Sequence, residues 1–288
     1  MSSTSTTGTT PGGVPAAGRA PARRRPSTAR LALARVRLEL LTSSRERDAV
    51  VFVFAYPVLM MVIFGAVFGD QELPDGTPFA RYFLAGIAAT AIVLTSFQNL
   101  AVTIARERED GTLKRLRGMP VPVSAYVLGK VGAVLVSSLA QMVLLLAVAR
   151  LAYDVPLPAD AEHWLRFAWV LALGTVAGCV LGIAASALPR SGASANAVIT
   201  PLVLVLQFVS GVFFVYGSLP EWMRSVAELF PLKWMAQGMR AAFLPESAVA
   251  AEPGGSWELG TGALVLAAWA VVGLVVCLRT FRWSRRDA

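Results

Sequence analysis

The chain has 288 residues, 56% of them hydrophobic and only 15% charged, with a mean hydropathy of +0.61 and a net charge of +8. Ordinary soluble domains carry roughly 25% charged residues, so this balance excludes one and points to an all-α polytopic membrane protein. The positive excess reads as a topology signal rather than a nucleic-acid surface.

Residues 1–28, rich in Ser, Thr, Gly, Pro and Arg, hold no apolar signal-peptide core and read as a disordered basic tail. Residues 29–48 read as an amino-terminal interfacial helix. Leu31, Ala34, Leu38 and Leu41 share one side and Leu33, Val36 and Leu40 another, with Arg30 and Arg37 between them. Residues 49–288 read as one transmembrane domain of six helices, drawn as Ala49–Gly69, Tyr82–Ala105, Val123–Ala149, Phe167–Leu188, Asn196–Val215 and Leu259–Leu278. Each has about 20 residues or more, and at a 1.5 Å rise that crosses a hydrocarbon core of about 30 Å. Pro57 predicts a kink in the first. Lys130 reads as an anchor at the headgroups, because the third stretch is still long enough to cross when counted from Leu128.

Lys and Arg fix the orientation. They crowd the amino end, the loop 106–122 and the carboxyl end, which places both termini and that loop in the cytoplasm of a multi-pass plasma-membrane protein. The loop, REREDGTLKRLRGMPVP, opens with mixed charges and breaks at Gly111-Thr112. It continues as a short helix with Leu113, Leu116 and Met119 on one side; such a helix is built to touch something, and a solvated connector whose basic residues only set topology is the alternative.

Within the six stretches there is no Asp, Glu or His, which excludes proton-coupled carriers and intramembrane proteases. No catalytic or metal-ligating set is found. His163 lies in an outer loop without partners, Cys179 and Cys277 lie inside spans, and no GxxxxGK[ST] loop is present to hold ATP. The polar residues that remain are neutral. Phe97, Gln98 and Asn99 in the second span, with Gln207 and Phe208 in the fifth, suit a flat, partly apolar molecule, since an amide beside an aromatic face both orients and stacks it. Interhelical hydrogen bonding is the plainer account of each such amide taken singly. Gly174, Gly178 and Gly182 recur every four residues and read as a close-packing stripe, within the subunit or at a dimer contact. Between the fifth and sixth spans, residues 217–257 read as an outer re-entrant helical hairpin. Ser218 to Glu221 has capping-box spacing, and Leu232, Met235, Met239 and Phe243 oppose Lys233, Gln237 and Arg240.

The charged loop resembles the E-x-G-T-L-x-x-L-x-x-x-P coupling segment of type 2 ABC exporter membrane subunits, in particular the daunorubicin-resistance-like permeases. The stretch QFVSGVFFVYGSLPEWMRSVAELFPLKWMAQGMR resembles their fifth-span and outer-hairpin signature. The likeness runs from about residue 29 to residue 286 and implies several things. Glu107, Glu109, Gly111, Thr112, Leu113, Leu116 and Arg117 would form a coupling helix on a separate cytoplasmic ABC ATPase, which would bind the ATP-Mg that this chain does not. A second permease copy would complete a homodimer. The second and fifth spans would line the path of a hydrophobic or amphiphilic small molecule or lipid-like substrate, with export of polysaccharide or glycolipid as the alternative. A membrane-embedded enzyme and a scaffold or sensor are the competing classes. The first lacks catalytic groups, and the second has no use for the neutral polar cluster.

Overall fold

The structure is a computed structural model that describes residues 27–45, 47–118 and 122–280, and the named elements in it are all helical. The tail before residue 27, Met119 to Val121 of the charged loop, and the basic carboxyl end from residue 281 lie outside these residues. Helix α1 (Thr28–Arg45) precedes α2 (Arg47–Phe68). Next come α3 (Phe79–Val93), a π-helical turn (Leu94–Asn99) and α4 (Leu100–Glu109), which follow one another without a break. The remainder is α5 (Thr112–Arg117), α6 (Val123–Tyr153), α7 (Ala161–Ala185), α8 (Gly192–Val209), α9 (Glu221–Ala227), α10 (Pro231–Phe243) and α11 (Leu259–Thr280).

Five helices among the described residues are long and apolar enough to cross a bilayer: Phe79–Glu109, Val123–Tyr153, Ala161–Ala185, Gly192–Val209 and Leu259–Arg279. Helix α2, the first of the six expected crossings, has a shorter described apolar run, Val53–Phe68, and contains Pro57. Helix α3 forms the middle of the bundle. Nearly all of it is buried, and it packs on α2, α6, α7 and α10. Helices α6, α8 and α11 turn Leu139, Val143, Val198, Val205, Leu264 and Val271 outward, as helices facing hydrocarbon do.

The π-helical turn has a local cause. A π turn loosens the carbonyls of the preceding turn. Here two hydroxyls take them: Thr95 Oγ1 donates to the Ala91 carbonyl at 2.9 Å and Ser96 Oγ to that of Ile92 at 2.6 Å. Helix α7 seats its glycines against this turn. A Cβ on Gly178 would meet the Ser96 side chain, one on Gly182 would lie 2.8 Å from the Phe97 carbonyl oxygen and 2.9 Å from that of Ser96, and Gly174 faces Met235. Gly182→Val is therefore expected to destabilise the fold by about 1–3 kcal/mol through overpacking against backbone. Gly260→Ala, where the added carbon meets open space, serves as the neutral control in the same thermal unfolding series.

Helix α1 lies against α6: Leu33, Leu38 and Leu41 are exposed, while Ala32, Arg35 and Val36 settle on Gly129 and Gly132. Two sequence expectations are corrected. Helix α10 is not two-faced. It is buried from Leu232 to Phe243, Lys233, Gln237 and Arg240 included, because α3, α7 and α11 surround it. The Ser218 capping box does not form. Pro220 occupies the N-cap of α9, and the Ser218 hydroxyl donates to the Val215 carbonyl.

The burial of α10 is made tolerable by partners. Arg240 Nε donates to Glu252 Oε1 at 2.5 Å and its Nη2 to Oε2 at 3.3 Å, while its guanidinium lies 5.3 Å from the Tyr82 ring centre and 5.7 Å from that of Tyr216. The Lys233 ammonium sits 3.4 Å over Trp234 and 3.6 Å from Glu258, and burial pushes its pKa down. Tyr82 Oη accepts from the Tyr216 amide and reaches the Gly211 carbonyl, which ties the turn after α8 to α3. Nearby, Arg166 and then the Trp257 indole N–H hold the Glu246 carboxyl below its usual range. That contribution is complete above the ordinary carboxylate range and is lost as pH falls through the lowered value.

Candidate functional site

At the end of the bundle that carries Gly111, three consecutive residues of α4 grip three different parts of the chain. Glu107 accepts from Lys130 Nζ of α6 at 2.5 Å and from the Tyr126 hydroxyl at 2.8 Å. Lys130 also donates to Glu39 of α1 at 2.8 Å, and Arg35 closes the group with Glu39 at 2.5 Å and Glu107 at 3.8 Å. Lys130 is therefore no headgroup anchor. Its side chain is 3% exposed, and two carboxylates offset the cost of withdrawing the ammonium from water. Arg108 donates to the Ser186 carbonyl at the carboxyl end of α7 at 2.5 Å, where a cation also suits the helix dipole. Glu109 accepts from the Gly192 amide at 3.0 Å, at the amino end of α8, where a carboxylate is favoured for the converse reason. The Ser191–Ser194 capping box completes that helix start.

Gly111 then turns the chain with φ +74°, a conformation only glycine adopts without strain, and launches α5. Leu113 and Leu116 are buried against Leu100, Ile104, Tyr126 and Ile183, so the apolar side of α5 rests on its own bundle. Lys114, Arg115 and Arg117 lie on the exposed side, with Thr112 half-buried at the start.

The expected substrate-path residues face three different surroundings. Gln98 donates to Thr200 of α8 at 3.1 Å, and Thr200 in turn donates to Asn196. Gln207 is buried and accepts from Tyr56 of α2 at 3.1 Å, while the exposed Phe208 lies against Phe213 and Phe214. Phe97 turns the other way, into an apolar groove of about 360 Å³ walled by Gly178, Leu181, Leu202, Leu206 and Trp269. Asn99 is exposed and lines a polar cleft of about 310 Å³ between α1, α2, α4 and α6, as does the buried Thr95, whose hydroxyl oxygen lies 2.7 Å from Gln141 Oε1.

Sequence inspection missed Arg35, Glu39 and Tyr126. Their signal was present in part, as an i,i+4 Arg–Glu pair on α1 and a lysine too deep for an ordinary anchor. No three His, Cys, Asp or Glu among the described residues are grouped to hold a metal ion.

Residues 32–244 match the family described as ABC-2 type transporter. The chain is similar to the inner membrane transport permease YadH of Escherichia coli strain K12, with 22% identity over 193 residues, covering 65% of this chain and 74% of that protein. It is also similar to the putative transport permease ycf38 of Porphyra purpurea, with 26% identity over 191 residues and 64% of each chain covered.

Proposed function

Given that the chain belongs to the ABC-2 type transporter family and is a multi-pass permease of the plasma membrane, we propose that it is the export subunit for a hydrophobic or amphiphilic compound, on the daunorubicin-resistance-like branch. Family membership implies an ABC ATPase partner. In the proposal two permease copies and two ATPases form the working unit, α2 completes six crossings, both termini lie in the cytoplasm, and segment 217–257 closes the outer end. ATP and Mg stay on the partner. The permease contributes no chemistry of its own, only a change in which side of the membrane its cavity faces.

One observation carries this reading: Glu107, Arg108 and Glu109 hold, in order, α6 with α1, the end of α7 and the start of α8. A push on the 106–122 loop moves α4, and these short charged contacts pass the displacement to four helices at once. Leu113 and Leu116 fasten α5 to the bundle, and Lys114 and Arg115 on its exposed side meet the ATPase. The second and fifth crossings, with Gln98 and Gln207, form the cargo path when two copies face each other.

The test is cargo-stimulated ATP turnover by the permease–ATPase pair in vesicles. Glu109→Ala, which releases α8, and Gly111→Val, which strains the turn, are expected to lower the stimulation by about 5- to 150-fold, the range of ordinary coupling energies. Membrane insertion should stay unchanged. Stimulation equal to wild type in both variants would remove the loop from the coupling path, and movement of lipid-linked saccharides with no movement of drugs would replace the cargo.

A further inference from the structure

The polar cleft between α1, α2, α4 and α6 has the composition of a lipid-headgroup site. Thr95, Asn99, Thr103, Arg106 and Asp110 recur every three or four residues on the α4 side and all line it, forming a polar stripe of roughly 22 Å at helical rise. Thr42 and Ser43 of α1 and Ser137 of α6 face the stripe. Leu40, Val53, Phe54 and Val134 supply apolar walls.

Its charges divide into two sets. Arg35, Lys130, Glu39 and Glu107 are joined by ion pairs and balance one another. Arg106 and Asp110 also line the cleft, one helical turn apart and both exposed, and among the described residues neither has a hydrogen-bond or ion-pair partner in its side chain. One free cation and one free anion about 6 Å apart along the axis match a ligand with the opposite pair of charges.

We infer that this cleft binds a bilayer lipid with a zwitterionic head of the phosphoethanolamine type, its phosphate on Arg106 and its primary ammonium on Asp110, the acyl chains remaining in the bilayer beside α2. The volume supports a head without tails, since about 310 Å³ is at the lower limit of small-ligand pockets. The amine is primary because Asp110 accepts N–H bonds that a trimethylated head does not offer, and Phe54 alone among the lining residues is aromatic, so no aromatic cage receives a quaternary ammonium. A serine head adds a carboxylate facing Asp110 and Glu107, and a glycerol head leaves Asp110 without a partner.

The inference rests on the proposed orientation, which sets this end of the bundle at the cytoplasmic headgroups, but its test does not need transport. The permease–ATPase complex is placed in nanodiscs of equimolar phosphatidylethanolamine, phosphatidylcholine and phosphatidylglycerol with matched chains, and lipid retained after detergent extraction is read by native mass spectrometry. Phosphatidylethanolamine should exceed phosphatidylcholine by about tenfold, the worth of one charged hydrogen bond. Asp110→Asn should erase that preference while phospholipid is still retained, and Arg106→Gln should lose all three lipids, with thermal unfolding unchanged in both. An identical lipid profile in wild type and variants overturns the assignment, as does a preference for phosphatidylglycerol. Displacement of the lipid by soluble phosphoethanolamine at equal concentration overturns the lipid as the source of the head. Selective retention without cargo-stimulated turnover would sink the export reading and leave the cleft standing.

Discussion

Lys130→Met is expected to destabilise the chain by about 3–5 kcal/mol, because it leaves the buried Glu39 and half-buried Glu107 carboxylates with their shared cation gone. Glu39 and Glu107 both accept from the ammonium of Lys130, whose side chain is 3% exposed, at 2.8 and 2.5 Å. Arg35 remains beside Glu39 and at 3.8 Å from Glu107, so the loss belongs in the lower half of the range. Thermal unfolding of the purified chain in detergent measures it. The double change Lys130→Met and Glu107→Gln should recover most of the deficit, since it leaves Arg35 paired with Glu39 and no carboxylate without a cation. If the single variant melts within about 0.5 kcal/mol of wild type, as surface substitutions do, the cluster is not buried as described.

Arg240→Met is expected to have an effect of similar size at the opposite end of the bundle. Arg240 is fully buried, Glu252 is nearly so, and the pair is bidentate, which makes it geometrically specific as well as costly to break from one side. Removing the guanidinium strands the Glu252 carboxylate and also takes the cation from between the Tyr82 and Tyr216 rings, for about 3–5 kcal/mol in total. The expected signature is local. Amide exchange should rise first across Glu246–Ala251 and at the turn after α8, and Glu252→Gln in the same chain should restore much of the protection. Uniform exchange across the whole bundle would mean that the pair does not hold that segment.

The membrane class and most of the crossing helices are legible in the sequence because hydrocarbon thickness imposes a length that few other constraints mimic. The resemblance carried by REREDGTLKRLRGMPVP locates the charged segment, but not the partners within it. Glu107 meets Lys130 and Arg35, 23 residues downstream and 72 upstream, and nothing in local periodicity announces a pairing of that kind. Amphipathic reasoning fails at α10 for a related reason: it assumes that polar residues seek water, whereas Lys233 and Arg240 find aromatic faces and carboxylates inside the fold. In α1 the charged Arg35 and Glu39 likewise pair with each other, and Glu39 with Lys130, on the side that packs on α6. Gln98 and Gln207 are placed by the sequence on the correct helices, yet each already holds a protein partner, Thr200 and Tyr56.

The π-helical turn at Leu94–Asn99 carries one residue more per turn than its neighbours, and it lies upstream of every grip that α4 makes. Each residue of an α-helix is rotated by about 100° from the last, so the surplus residue sets the clock face on which Glu107, Arg108 and Glu109 are read. Shortened by a single codon, the helix would still cross and still be apolar. It would deal each charge to the wrong neighbour and leave α6, α7 and α8 without the contacts that α4 now makes to them.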